Sequence, residues 1–127
     1  MTKIKVGIIG SGFIADHHAF SYRQIPNVEI VGVASVIEEQ ALELMKKYNI
    51  PGKPYKDYKD LLKLECDAVS ICLPNYLHKE VAVAALESGK HIMIEKPLAR
   101  TVAEGQTILD RSEERRVGKE CRSRGSP

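Results

Sequence analysis

The chain has 127 residues, of which 43% are hydrophobic and 28% charged, with a formal net charge of +2 at pH 7. That length suits one domain with a sizeable core, and no run is long and apolar enough to span a membrane. The basic excess lies entirely in 111–127, so the body of the chain carries no electrostatic footprint for nucleic acid.

Lys3–Ile9 reads as a buried strand that runs straight into a glycine turn. Gly10, Gly12 and Ala15 fill the small positions of the dinucleotide-binding fingerprint G-x-G-x-x-G/A. Gly10 permits the tight turn, Gly12 lets backbone approach a pyrophosphate, and Ala15 lets the helix pack close to the strand. The helix that opens near Gly12 and ends before Pro26 has unpaired first N–H groups, including those of Phe13 and Ile14, that can bind phosphate oxygens. The purely structural alternative is a glycine turn with no ligand.

Val28–Ala34, rich in β-branched residues, is the second strand. Ile37–Tyr48 reads as a helix with one apolar stripe through Ile37, Ala41, Leu44, Met45 and Tyr48. Pro51-Gly-Lys-Pro54 breaks the chain, and Tyr58–Leu64 forms a short helix. Asp67–Leu73 is the third strand and Leu77–Ser88 the next helix, with Asn75 as its cap and Gly89 past its end. His91–Ile94 is the fourth strand. Thr101-Val-Ala-Glu104 is a capping-box pattern opening a last helix, periodic through Val102, Gly105 and Leu109. Strand and helix alternate throughout, which predicts an α/β fold with a doubly wound parallel sheet, incomplete at its C-terminal end.

The three cysteines, Cys66, Cys72 and Cys121, have neither metal spacing nor the pattern of a disulfide framework, as expected of a reduced cytoplasmic protein. Cys72 reads as a small core residue. No His, Cys, Asp and Glu set has metal spacing, so no metal is assigned.

Residues 111–127 are almost without apolar content. A disordered polar tail and a basic arm for nucleic acid are two readings. A third fits better: the codons of a sequencing-library adapter spell Arg111–Pro127 in order, except that TGG would give Trp where the chain has Gly125. The expectation is a dinucleotide-binding domain over 1–110 and a non-native, disordered tail over 111–127. The native reading frame would then continue past Asp110.

Leu73-Pro-Asn-Tyr-Leu-His78, Ala85-Leu-Glu-Ser-Gly-Lys-His91, then Glu95-Lys-Pro-Leu-Ala99 and Thr101 resemble the glucose–fructose oxidoreductase/inositol dehydrogenase/MocA family (Gfo/Idh/MocA). The glycine turn and His18 agree with it, and the resemblance covers essentially all of 1–110. It implies a Rossmann nucleotide-binding domain followed by a second α/β domain with a large open sheet. That second domain closes the substrate site and supplies further catalytic residues. Family members oxidise or reduce a carbinol carbon of sugars, polyols or related compounds with a nicotinamide cofactor. The full-length protein is expected to be a homo-oligomer, with no nucleic-acid or membrane partner, and the fragment alone inactive. The alternative is a non-catalytic dinucleotide-binding sensor on the same fold.

The resemblance places Lys96 near the nicotinamide and the reacting hydroxyl, as the catalytic residue. A lysine there can hydrogen-bond the substrate oxygen and stabilise developing negative charge. Glu95 orients that lysine or contacts the cofactor, with a structural ion pair as the alternative, and Pro97 fixes the backbone after it. Leu73, Pro74 and Asn75 follow the third strand and should line the cofactor crevice; helix capping is the competing role for Asn75. His78 faces the cofactor or water, while His17 and His18 are structural or exposed. The cofactor-binding set is therefore Gly10, Gly12, Phe13, Ile14, Ser35, Leu73, Pro74, Asn75, His78, Glu95 and Lys96. Ser35 stands where NAD-preferring folds place an acid for the ribose hydroxyls, which leaves NAD or NADP open with a lean to NADP. Val36 adds no positive charge, and Glu38 or Glu39 could serve instead.

Overall fold

The computed structural model of the chain describes residues 3–94 and 102–116. β1 (Ile4–Ile9), β2 (Val28–Ala34), β3 (Ala68–Ile71) and β4 (His91–Ile94) form one sheet in the order β2-β1-β3-β4. All three pairings are parallel. The chain steps from β1 to β2 on one side, then crosses to β3 on the other. The strand order therefore reverses at β1, which opens a crevice beyond the carboxyl ends of β1 and β3.

Helices cover both faces, because the central strand β1 buries apolar side chains on both sides. Ile8 and Val33 face α1 (Phe13–Arg23) and α2 (Glu38–Lys47), packing with Ala15, Ala19, Ala41 and Leu44. Their neighbours Ile9 and Ala34 face the other layer, α3 (Tyr58–Leu61), α4 (His78–Glu87) and α5 (Val102–Arg116). Val69 and Ile71 join that second cluster with Leu61, Val81 and Ile108. Burying each such aliphatic side chain contributes about 1.5–3 kcal/mol. Leu61 sits directly over β2: a Cβ on Gly32 would meet its Cδ1 at 2.8 Å. No helix among the described residues is long and apolar enough to cross a membrane.

Several element boundaries differ from the sequence reading. β3 stops at Ile71, although Cys72 N–H still donates to Ile9 O at 2.8 Å. α3 is four residues long, and its next turn is carried by i→i−3 bonds from Lys63 and Leu64. Asp57, which the sequence reading did not single out, caps it by accepting from Lys59 N–H at 2.9 Å. α4 begins at His78, after a 3₁₀ turn over Asn75–Leu77, and its N-cap is Leu77, so Asn75 is not the capping position. The Leu77 N–H donates to Pro74 O at 2.9 Å, which tightens the entry and delays the α-helix.

In α5 the expected stripe is corrected. Val102 and Leu109 are 89% and 51% exposed, whereas Ile108 is 2% exposed and carries the contact with the core. The buried seam lies one residue over, because the helix packs beside α4 through Ile108 and the half-buried Gly105. α5 also runs through Arg111 to Arg116, across the boundary drawn at Asp110. Glu and Arg are good helix formers, so composition that is too polar for a core can still extend a helix already begun. Thr101, 117–127 with Cys121, and Glu95, Lys96 and Pro97 lie outside the described residues.

Candidate functional site

The end of β1 is held from both sides. Gly10 N–H donates to Ala34 O on β2 at 2.7 Å. On the β3 side, a Cβ on Gly10 would fall 2.3 Å from the Cys72 carbonyl oxygen, and its φ of +115° is left-handed. Only glycine fits here, for space and for backbone conformation. Cys72, half-buried, thus serves the turn through its carbonyl and packs against the α1/α2 cluster.

Gly12 is different. It is the N-cap of α1, with no side-chain cap, and a Cβ built on it meets nothing within 4 Å. Asp16 N–H is the donor to Gly12 O at 3.0 Å, so the N–H groups of Phe13, Ile14 and Ala15 precede the first intrahelical bond. Orphan donors, the helix dipole and open space above a glycine are the requirements of a phosphate cradle. A dinucleotide's pyrophosphate therefore fits the residues present. The Phe13 side chain is exposed and lies against His17, with ring centroids 4.4 Å apart and the rings tilted by 54°. It lines a broad open groove of about 960 Å³ between α1 and α2.

Beside the cradle lies a cleft of about 550 Å³, between the ends of β2 and β3. Ile9, Val36, Leu73 and Leu77 give it apolar walls, and Pro74 lies at its rim. Its polar lining includes Ser11, Ser35, Gln40, Lys56, Tyr58 and Glu80. Ser35 Oγ is 2.6 Å from Ser11 Oγ and accepts from Ile37 N–H at 3.0 Å. Ser11 also reaches Gln40 Oε1 as donor at 3.1 Å, and Ser35 reaches Ile37 O at 3.4 Å. The glycine turn and the end of β2 are thereby tied together at the position where ribose hydroxyls are read.

Lys56 was missed from the sequence. It lines the cleft and also a smaller adjoining one of about 200 Å³ beside Ser35, Val36 and Glu38. A single parallel bridge, Ala34↔Tyr55, brings it there, with Ser35 N–H on Tyr55 O at 2.8 Å and Tyr55 N–H on Val33 O at 2.9 Å. One residue of strand pairing is too short for any periodicity to reveal. The Pro51–Pro54 break before it was the available signal that the chain turns back towards the sheet. Glu80 was missed as well. It accepts from the Tyr58 hydroxyl at 2.8 Å, and burial together with Glu80 pushes the Tyr58 hydroxyl up to about 12.

His78 does not line the cleft. It is 3% exposed, and its Nε2 is 2.9 Å from Leu73 O, so it braces the cleft wall from behind. An early helical position predicted contact or solvent; the 3₁₀ turn before it rotates the ring inward under the loop. His18 is likewise internal, with Nδ1 2.9 Å from Ser70 Oγ, and Tyr22 bonds the same hydroxyl. Burial pushes the Tyr22 hydroxyl up, with the Ser70 bond opposing it. Asp16 joins α1 to α2, accepting from Tyr48 at 2.7 Å and Lys47 at 2.9 Å; these bonds hold its carboxyl below the usual range. Among the described residues no three His, Cys, Asp or Glu side chains gather as metal ligands.

Comparison with known proteins agrees with this geometry. Residues 4–118 match the GFO_IDH_MocA model, described as an oxidoreductase family with an NAD-binding Rossmann fold. Inositol 2-dehydrogenase of Salmonella paratyphi B is 38% identical over 109 residues, covering 84% of this chain and 32% of that protein. The chain thus spans about a third of the length of the curated relatives it matches. Myo-inositol dehydrogenase of Lactobacillus casei, solved with NAD(H) and myo-inositol, superposes with a TM-score of 0.83 at 29% identity, over 89% of this chain and 34% of that one. Biliverdin reductase of Synechocystis, solved with biliverdin and NADP+, superposes at 0.82 with 31% identity, over 91% and 36%. The chain belongs to the Gfo/Idh/MocA oxidoreductase family, of which it carries the NAD(P)-binding Rossmann domain.

Proposed function

We propose that the chain is the cofactor half of an NAD(P)-dependent dehydrogenase acting on a carbinol carbon of a sugar, polyol or related compound. The observation that carries this is the glycine turn: Gly10 is locked against Cys72 while Gly12 opens onto free space at the start of α1. The similarity to inositol 2-dehydrogenase and glucose-6-phosphate 3-dehydrogenase supports the substrate class.

The first-turn N–H groups of α1 hold the pyrophosphate, and Ser35 takes the adenosine ribose. Leu73 and Pro74 wall the crevice, and Asn75 follows them at its edge. NADP is the preferred form. Ser35 itself brings no carboxylate against a 2′-phosphate, and Lys56 puts a positive charge in the same small cleft, which it shares with Glu38. When bound, the nicotinamide supplies the hydride acceptor or donor. Lys96, two residues past the end of β4 in the sequence, donates a hydrogen bond to the substrate oxygen and stabilises charge building there. Glu95 orients it. Phe13, Ile14 and His78 act through backbone or through Leu73 rather than by side-chain contact with the cofactor. The full-length protein, continuing past Asp110 into a substrate domain, is a homo-oligomer, and 1–127 alone turns nothing over.

Two measurements test this. Calorimetric titration of the chain should give a lower Kd for NADP+ than for NAD+. The native reading frame, expressed in full, should reduce NADP+ with a polyol or sugar, and Lys96→Ala should lower kcat by roughly 10²–10³-fold. A Lys96→Ala enzyme working at the parent rate would remove the catalytic assignment.

A further inference from the structure

We infer that Glu80, held in place by Tyr58, reads the exocyclic amine of the cofactor's adenine. The inference rests on the dinucleotide reading above.

Glu80 stands in the first turn of α4 and Tyr58 at the first residue of α3, 22 positions apart. Both line the 550 Å³ cleft, at the end walled by Tyr76, Leu77 and Val81. The Tyr58 hydroxyl donates to Glu80 Oε2 at 2.8 Å. Asp57 caps α3 and so fixes where Tyr58 begins. The other carboxylate oxygen, Oε1, has no partner among the described residues. An ionised carboxylate only accepts, so its free oxygen selects a donor.

The parts of a dinucleotide can be assigned in turn. Pyrophosphate belongs to the glycine turn and ribose to Ser35, so the ring system beyond the ribose enters the apolar part of the cleft. A carboxylate repels both pyrophosphate and a 2′-phosphate, which excludes those groups as its partner. Adenine is flat and apolar on its faces, and its only donor away from the glycosidic bond is the N6 amine. Position in a first helical turn favours an acid by itself. It does not account for a second helix supplying a hydroxyl that fixes which way the acid points. Tyr58 keeps its proton throughout the working range, so the clamp on Oε2 is permanent.

The test compares NADP+ with its 6-methoxypurine analogue, in which the amine is replaced by an ether oxygen that only accepts and N1 stays unprotonated. Binding to the purified chain is measured by calorimetry, with far-UV circular dichroism as the folding control. The wild-type chain should bind the adenine form about tenfold more tightly, since one charge-assisted hydrogen bond is replaced by repulsion. Glu80→Gln should close or invert that ratio, because its amide can donate to the analogue's oxygen. Tyr58→Phe should narrow it by releasing the carboxylate. Equal affinity of the wild-type chain for both forms would overturn the inference while leaving dinucleotide binding intact. Glu80→Gln weakening both forms alike would also overturn it, showing a structural acid. Failure of the folded wild-type chain to bind either form would overturn the dinucleotide reading and this inference with it.

Discussion

The carbonyl oxygen of Cys72 stands 2.3 Å from where a Cβ on Gly10 would lie. The first and third strands therefore meet, at the crevice, through a contact that admits no side chain. Cys72 cannot retreat easily, because its N–H is bonded to Ile9 O and continues the β1–β3 ladder. Gly10→Ala should destabilise the chain by about 2–4 kcal/mol, combining overpacking with an unfavourable positive φ. Urea unfolding followed by circular dichroism measures it. A loss below about 0.5 kcal/mol, the size of an ordinary surface change, would mean that the turn relaxes freely.

Ser70 is buried between His18 and Tyr22 on the α1 face of the sheet. Ser70→Ala removes the hydroxyl that serves both. The expected cost is about 1–3 kcal/mol, that of leaving buried polar atoms short of a partner. Tyr22→Phe should cost less, since it removes only one of those bonds. Cofactor affinity should not change in either variant, because none of the three residues lines the cleft.

Asp16 clamps α1 to α2, and its folded carboxyl lies below the usual value through Tyr48 first and Lys47 second. A depressed acid pKa stabilises the folded state above the unfolded value of 3.8 and loses that contribution as pH falls through the folded value. Tyr48→Phe should raise the Asp16 pKa and flatten the acid limb of stability between the two values. Carbon-detected titration of the Asp16 carboxyl reads the shift directly; an unmoved pKa would assign the depression to Lys47 instead.

Lys56 lines both clefts together with Ser35, which follows the end of β2. Lys56→Ala should weaken NADP+ by about tenfold, the loss of one charge-assisted contact, and leave NAD+ within about twofold. An equal effect on both cofactors would place Lys56 away from the 2′-phosphate.

Much of this was legible in the sequence, for identifiable reasons. The strands are β-branched runs bounded by Gly10, Ser35 and Pro74, so period and punctuation agreed. The glycine turn was legible because its residues are contiguous. What escaped were features set by distant partners. Lys56 reaches the cleft through a one-residue bridge at Tyr55. Glu80 gains meaning only from Tyr58, which sits on another helix. His78 faces inward after a 3₁₀ turn closed by Leu77 N–H on Pro74 O, and local spacing carries no trace of that turn. In α5, three apolar or small positions suggested a stripe, yet packing against α4 chose Ile108.

The central claim is that the glycine turn is a cofactor cradle and not merely a turn, and Gly12→Ala tests it most directly. A Cβ there meets no atom of the protein within 4 Å. Folding stability should fall by less than about 1 kcal/mol, the difference between Gly and Ala at an N-cap. Affinity for NADP+ should fall by at least tenfold, because the methyl group enters the space that the pyrophosphate needs. Calorimetric titration on a chain of verified thermal stability gives both numbers. Wild-type affinity in the folded Gly12→Ala chain would contradict the account.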